Sequence, residues 1–401
     1  MPNTLLTVNQ ITRKAAMVLH QKSVLLRNIN RQYDSSFGVS GAKIGDTLRV
    51  RMPNQYTVRT GITHSAQETV EEKVDLPVST VKGVDLSFTS QELTLSLDDF
   101  SERIIDPAMS VLAAAIESDV YTNLYKRVHN LVDGDGAAFA FTHVSSARQK
   151  LTENLAPMDK RSLILSPTHT TKYMNDTKGL FHSAGQIETA YEDGELGRIQ
   201  GFKVFESTLF ADHTTGTAAK STSYVCNTTT GITSGSAAVT VSGGTTTFLV
   251  GDVITIADVF SVHPETKVST GQLQQFVVTA NSGTSATTLQ LSPAPTTSGA
   301  RQNVTLVSAG ASKAITKIGA GANELLNGSL AFYRDAFTFA TADLPLPRGV
   351  DMAARAVVDG ISVSLVRDFD VTSRDFPCRL DVLYGYAALR PQLACRIHAD
   401  N

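Results

Sequence analysis

The residues best placed to do chemistry are two glycines, a run of carboxylates and a scatter of histidines. Gly319 and Gly321 stand ahead of a segment with helical periodicity, the setting in which backbone amides cradle a phosphate. The Gly-Lys-Ser/Thr ending of such a loop is missing and no dinucleotide fingerprint can be completed, so the pair reads as a linker. Glu68, Glu71, Glu72 and Asp75 would serve hydrolysis if they faced one another across a substrate. They fall in a polar excursion, and such charge runs are ordinarily solvated or interface faces. The nine histidines offer neither an i, i+4 pair nor a Cys/His cluster, so His169 and His182 read as surface or packing residues rather than zinc ligands. Serine and histidine recur too freely for a triad to be inferred without geometry. The sequence assigns no catalytic residue, no cofactor and no metal.

The chemistry that remains is electrostatic. Arg13, Lys14, Lys22, Arg27 and Arg31 all precede the first acidic residue, Asp34. Two readings of this basic face stay open: solvation, or recruitment of an acidic partner. The formal net charge of -3 supplies no global field for nucleic acid, so any DNA contact has to be local or weak. An apolar share of 42% and a charged share of 18% describe a soluble globular protein with a packed core. At 401 residues the chain exceeds the roughly 250 to 300 residues of a single core, which implies two or more domains. No segment reaches the ~20 apolar residues of a membrane span, and the cations of the first thirty positions break up any secretion signal. Cys226, Cys378 and Cys395 form no disulfide framework and fit a reducing compartment.

The elements that position these groups follow from periodicity. Ile11, Ala15, Val18, Leu19, Leu25, Leu26 and Ile29 recur at helical spacing behind Asn9, predicting an amphipathic arm with one face in need of a partner. From Gly45 the period is two, with Leu48, Val50 and Met52 alternating with polar residues up to Pro53, and Val84, Leu86 and Phe88 alternate likewise. The two runs predict the strands of an extended hairpin around the charged stretch Glu68 to Asp75. Ser96 with Asp99 resembles a capping box, and Asp106 before Pro107 sets a helix start. The stripe from Met109 to Leu131 then predicts a spine helix ending near Gly134, roughly 39 Å long at about 1.5 Å per residue. A helix near Ser145 to Asn154 and a strand from Ser162 to Leu165 follow. Between Ser221 and Ser312 the chain turns rich in Ser, Thr and Gly, its only charges being Asp252, Asp258, Glu265, Lys267 and Arg301. Short strand-like runs within it predict an inserted all-β module. A helix is expected at Ala322 to Asp335, and strands at Ile361–Val366 and Val382–Ala387.

Several strings in this order carry a resemblance. Residues Gly194 to Ser207, Gly-Glu-Leu-Gly-Arg-Ile-Gln-Gly-Phe-Lys-Val-Phe-Glu-Ser, look like a glycine-punctuated hinge strand of capsid proteins. Leu249 to Ile256 resembles the Gly-Asp turn and strand of an inserted barrel, and Tyr384 to Pro391 the closing segment of a peripheral domain. Over essentially its whole length the chain resembles the major capsid proteins of tailed double-stranded-DNA bacteriophages. It is most similar to the coat proteins of short-tailed phages with an inserted telokin-like β-barrel. The resemblance implies an α+β fold of the HK-ninety-seven-like kind, with N-terminal arm, extended β-hairpin loop, long spine helix, axial domain and inserted all-β barrel. The expected boundaries are 1–40 for the arm, 41–95 for the extended loop and its strands, and 96–136 for the spine helix. The axial domain would take 137–220 and 313–360 around the barrel at 221–312, with return strands at 361–401.

The resemblance further implies a structural, non-enzymatic subunit of hexameric and pentameric capsomers in an icosahedral virion shell. Assembly in the host cytoplasm around a scaffolding protein, a portal partner, weak non-specific contact with packaged DNA, no membrane and expansion on maturation belong to the same expectation. Arg13, Lys14, Lys22, Arg27 and Arg31 become candidate scaffold or inner-surface contacts. The best-known relative sets an acidic arm against a basic scaffold domain, and the sign here is reversed. Gly197 and Gly201 become candidate hinges. Relatives carry charges in the first long loop of the barrel, whereas Thr228 to Ser236 has none, which leaves His263, Glu265 and Lys267 as the candidate intercapsomer contact. A tail adhesin would account for the Ser/Thr-rich module but not for the spine helix, and an enzyme would need a catalytic motif that the sequence does not complete.

Overall fold

A computed structural model describes residues 12–13, 15–19, 23–34, 47–59, 61–62, 64, 66–67, 71, 73–89, 106–177, 197–209, 212–307, 312–319, 321–326, 328–358, 360–372 and 375–400. The chain forms two compact units. One comprises Met1–Arg51, Lys73–Tyr121 and Phe337–Leu389, the other Met52–Glu72, Thr122–Ala336 and Arg390–Asn401.

In chain order the first unit has helical residues 12–13 and 15–19, α1 (Leu25–Asn28), β1 (Asn30–Asp34), β2 (Thr47–Arg51), β3 (Lys73–Pro77), β4 (Thr80–Thr89) and α2 (Asp106–Tyr125), whose last turn enters the second unit. The second unit continues with β5 (Leu131–Ala138), α3 (Phe141–Glu153), β6 (Arg161–Leu165), α4 (Pro167–Thr177), β7 (Arg198–Ile199), β8 (Phe202–Glu206) and β9 (His213–Thr214). Next come β10 (Ser221–Asn227), β11 (Ala238–Thr240), β12 (Val253–Val262), β13 (Ser269–Val278), β14 (Thr288–Ser292), β15 (Val304–Leu306), β16 (Ser312–Lys317), β17 (Leu325–Leu326) and β18 (Gly328–Tyr333). The first unit resumes with β19 (Phe337–Ala342), β20 (Met352–Val358), β21 (Ile361–Arg367) and β22 (Asp375–Ala388), and β23 (Ala394–Asp400) closes the second.

In the first unit one sheet runs β1-β19-β22-β21-β20, with β4 also paired to β22. The arm buries Ala15, Ala16, Leu19, Leu25, Leu26 and Ile29, so its predicted apolar face is covered. Strand β1 was not expected; it adds parallel to β19 at the sheet edge. The extended hairpin differs from its expected pairing. Strand β2 pairs with β3, Leu48 opposite Leu76 and Val50 opposite Val74, while the Val84–Phe88 run lies in β4 against β22. The charged exposed residues Lys73 and Asp75 had masked the alternation of β3 with Val74 and Leu76. At the corner after β3, Gly385 lets β22 pass close, because a Cβ there would stand 2.0 Å from the Pro77 carbonyl oxygen.

The helix α2 starts at Asp106 as predicted but ends at Tyr125, well short of Gly134, about 30 Å in length at 1.5 Å per residue. Beyond it the Arg127 and Val128 amides turn to the Leu124 and Tyr125 carbonyls three residues back, tightening and closing the helix. Val128 and Leu131 are buried all the same, so the apolar spacing persisted through a change of conformation. The capping-box pair Ser96 and Asp99 lies outside the described residues.

The second unit has a host sheet of order β5-β23-β18-β6-β8-β7 and a module sheet of order β10-β16-β12-β13-β14-β11 with β15 on β12. Where a helix was expected at Ala322 to Asp335 there are β17 and β18. Strand β18 is buried on both faces between β23 and β6, and a run such as Ser329-Leu330-Ala331-Phe332 shows no period to separate strand from helix. The module core comprises residues such as Tyr224, Phe248, Ile254, Phe276, Leu291 and Ile315.

Candidate assembly surfaces

A carboxylate of α2 holds the basic arm. Glu117, on α2 and 2 % exposed, accepts bonds from the Val24 amide at 2.9 and 3.0 Å and from the Leu25 amide at 2.6 Å. These amides open α1, where no intrahelical acceptor exists, so Glu117 serves as a remote cap. Burial raises its pKa, and the two backbone bonds oppose that shift. The Ser23 hydroxyl donates to the Leu19 carbonyl at 2.9 Å and helps turn the arm between its helical pieces. Arg13 and Arg27 point to solvent and Arg31 is half-buried in β1, while Lys14 and Lys22 lie outside the described residues. Sequence reasoning missed Glu117; its one signal was an acid beside Ile116 and Val120 in an apolar stripe.

Gly197 and Gly201 bracket one tight hairpin, in which Arg198 pairs with Lys203 and Ile199 with Phe202. Gly197 has φ +59° and Gly201 φ +90°, next to Gln200 at +49°. A Cβ at either glycine would meet nothing within 4 Å, so the backbone conformation, not crowding, favours glycine there.

At the root of the module, Asp252 is 1 % exposed, and its carboxylate accepts from His213 Nε2 at 2.8 Å, the Gly216 amide at 3.0 Å and the Leu249 amide at 2.9 Å. Burial lowers the pKa of His213 against the pull of Asp252. Lys317, fully buried in β16, donates to Thr215 Oγ1 at 3.0 Å and to the Gly321 carbonyl. Gln275 reaches from β13 to the host sheet, accepting from the Leu131 amide at 2.8 Å and donating to the Leu131 carbonyl at 2.9 Å. Leu131, Val253 and Val277 form an apolar seam beside that bond, with Ile318 against it. The Gly-Asp string pointed to Asp252, but nothing in the sequence paired it with His213 or Gln275 with Leu131.

In the candidate contact loop, His263 Nδ1 accepts from the Glu265 and Thr266 amides at 3.3 and 3.2 Å. Lys267, at φ +58°, donates to the Gln302 carbonyl at 3.3 Å, and burial lowers its pKa. Glu265 alone of the three is fully outward. On the extended loop Tyr56, Val58 and Ile62 are exposed, the last two almost completely. Among the described residues no cluster of three or more metal-ligating side chains exists, and the three cysteines are free and buried. His169 is buried, stacked on Phe139 with ring centres 4.5 Å apart and bonded to Ser329 Oγ at 2.7 Å; His182 lies outside the described residues.

A tethered arm, the exposed Tyr56, Val58 and Ile62 and a docked β-module leave surfaces for neighbours, and the family match makes the chain a structural capsid protein of a phage shell. The chain belongs to the family described as P22 coat protein, gene protein 5, whose model matches residues 41–396. A search of the curated proteins finds no match. Among solved structures, the capsid of Ralstonia phage GP4 is 9% identical with a TM-score of 0.49, covering 100% of this chain and 95% of that one. The Mycobacterium phage Che8 chain is 11% identical with a TM-score of 0.46, over 94% and 90%. The capsid of an empty GTA particle is 10% identical with a TM-score of 0.44, over 100% and 95%. The assignment rests on the family match.

Proposed function

We propose that the chain is the major capsid protein of a short-tailed phage, assembling in the host cytoplasm into hexameric and pentameric capsomers of an icosahedral shell. In this reading scaffolding protein directs a precursor shell, a portal protein joins it, and the shell expands as double-stranded DNA enters against weak, non-specific contacts. The fold is of the HK-ninety-seven-like kind, and the inserted module is its telokin-like barrel. The observation that carries the reading is the arm: its apolar side is buried in its own unit while Arg13 and Arg27 remain outward, which leaves a basic surface for an acidic scaffold segment. The Gly197–Gly201 hairpin is the proposed pivot, since few residues need absorb a rigid-body rotation. Glu265, framed by His263 and Lys267, is the proposed contact between capsomers.

Negative-stain microscopy of the expressed chain, alone and with its scaffolding protein, tests this. Closed shells or polyheads are expected. Elongated trimers would point to an adhesin and small discrete particles to an enzyme, and either result removes the coat reading.

A further inference from the structure

Among the described residues of the second unit, Arg161, Lys317 and Arg396 are buried cations. An ionised side chain loses its hydration on burial and regains it only through acceptors. Two of the three find neutral oxygens. Arg161 donates to the Ala156 and Pro157 carbonyls and to Thr152 Oγ1, and Lys317 to Thr215 Oγ1 and the Gly321 carbonyl. Arg396 differs. It is 0 % exposed in β23, which runs between β18 and β5, and none of its Nε, Nη1 and Nη2 atoms has a hydrogen-bond partner among the described residues. The Tyr125 ring lies against one face of the guanidinium, its centre 5.2 Å from Cζ, which leaves the edge with its N–H groups. Burial lowers the Arg396 pKa, and Asp252 is among the groups that oppose this. That carboxylate is already bonded to His213 and to the Gly216 and Leu249 amides. His398, two residues further along β23 and on the same side of the strand, is buried too. Its Nε2 is bonded to the Tyr125 hydroxyl, while its Nδ1 has no partner among the described residues.

We propose that the edge of the Arg396 guanidinium is a binding site for one small monovalent anion of the halide class. The inference is independent of the coat reading. What the site offers is donors alone: the guanidinium N–H groups, joined by His398 Nδ1–H in the tautomer whose Nε2 accepts from Tyr125. A cation has nothing to bind there. Full enclosure selects against multiply charged oxyanions such as phosphate, whose dehydration costs far more than that of a halide. A bound halide neutralises the enclosed charge and stabilises the folded chain by mass action.

The test is urea unfolding of the full chain at constant ionic strength, with bromide replacing gluconate, an anion too large to be enclosed. The wild-type unfolding constant should fall about tenfold by the point where bromide is ten times its half-saturating level. Arg396→Met removes the charge and keeps much of the side-chain length. It should show no such fall, and in gluconate alone it should be at least as stable as wild type, because an apolar group has replaced a buried charge. Arg396→Lys keeps the charge without the planar edge and should retain only a weakened response. In crystals grown with bromide, the anomalous signal should place an ion against the Arg396 guanidinium. An equal response in Arg396→Met, or bromide bound only at the surface, would show an adventitious ion only and overturn the site. Indifference of wild type to bromide would overturn it as well, since water then serves the guanidinium. If Arg396→Met does not fold, an undiminished response in Arg396→Lys overturns the role of the guanidinium edge.

Discussion

Two buried residues lend themselves to measurement. Removing the carboxylate in Glu117→Ala leaves the part-buried Val24 amide and the buried Leu25 amide without their acceptor. An unsatisfied buried polar group costs about 1–3 kcal/mol. The variant should lose about 2–3 kcal/mol in urea unfolding, with the arm the first segment to gain amide exchange. Wild-type stability with an unchanged arm would refute the capping role. His169 concerns pH. Burial lowers its pKa from 6.5 to about 4. Between those values the unfolded chain binds more protons than the folded one. The stability gained by keeping the ring neutral is thus full above pH 6.5 and is lost as pH falls towards about 4. The unfolding free energy of wild type relative to His169→Gln should shrink across that window, and parallel profiles would refute the assignment. The sequence exposed neither role, because burial of a lone acid or a lone histidine is set by partners remote along the chain, Val24 for Glu117 and Ser329 for His169.

At the scale of elements, periodicity was readable wherever one face of an element meets solvent. The arm, the start of α2 and α3 have such a face, and their residues recur accordingly, whereas β21 alternates Ile361, Val363 and Leu365 with serines although Ile361–Leu365 are all buried. The pattern failed where both faces are covered, as in β18, and where exposed charges crowd a short strand, as in β3. It also overran α2, since buried Val128 and Leu131 continue the apolar spacing through a turn and into a strand. The module shows why its boundary matters. Strand β16 pairs with both β10 and β12, Ile315 opposite Ile256, and its Lys317 amide bonds to the Lys220 carbonyl. A fragment cut at Ser312 therefore removes a central strand, and with it Ile315 from the core. We expect a fragment of residues 216–319 to melt cooperatively with a dispersed amide spectrum, and one ending at Ser312 to do neither. Equal behaviour of the two would show that β16 belongs energetically to the host domain.

At the scale of the whole molecule the question is what the arm's charge is for. Arg13, Lys14, Lys22, Arg27 and Arg31 precede any carboxylate in the chain. Ala15, Ala16, Leu19, Leu25 and Leu26 are buried while Arg13 and Arg27 are exposed, so these two cations are not required for the arm's packing. Glu117 is bonded to backbone amides of the arm and leaves Arg13 and Arg27 exposed. An acidic coat-binding segment on the scaffolding protein is the expected partner, and exposed pairs of this kind are screened over about 8 to 10 Å near physiological ionic strength. Scaffold-dependent assembly should therefore weaken steadily as salt rises. Arg13→Glu with Lys14→Glu should abolish it while leaving the subunit's thermal unfolding unchanged, and acidic-to-basic changes in the scaffold segment should partly restore it. Packaged DNA is the competing partner, because its binding is also salt-dependent and indifferent to sequence. On the proposed function precursor shells separate the two, since they would hold scaffold and no DNA. If the double variant builds them at the wild-type rate and fails only in retaining DNA, the cations serve the genome and not the scaffold.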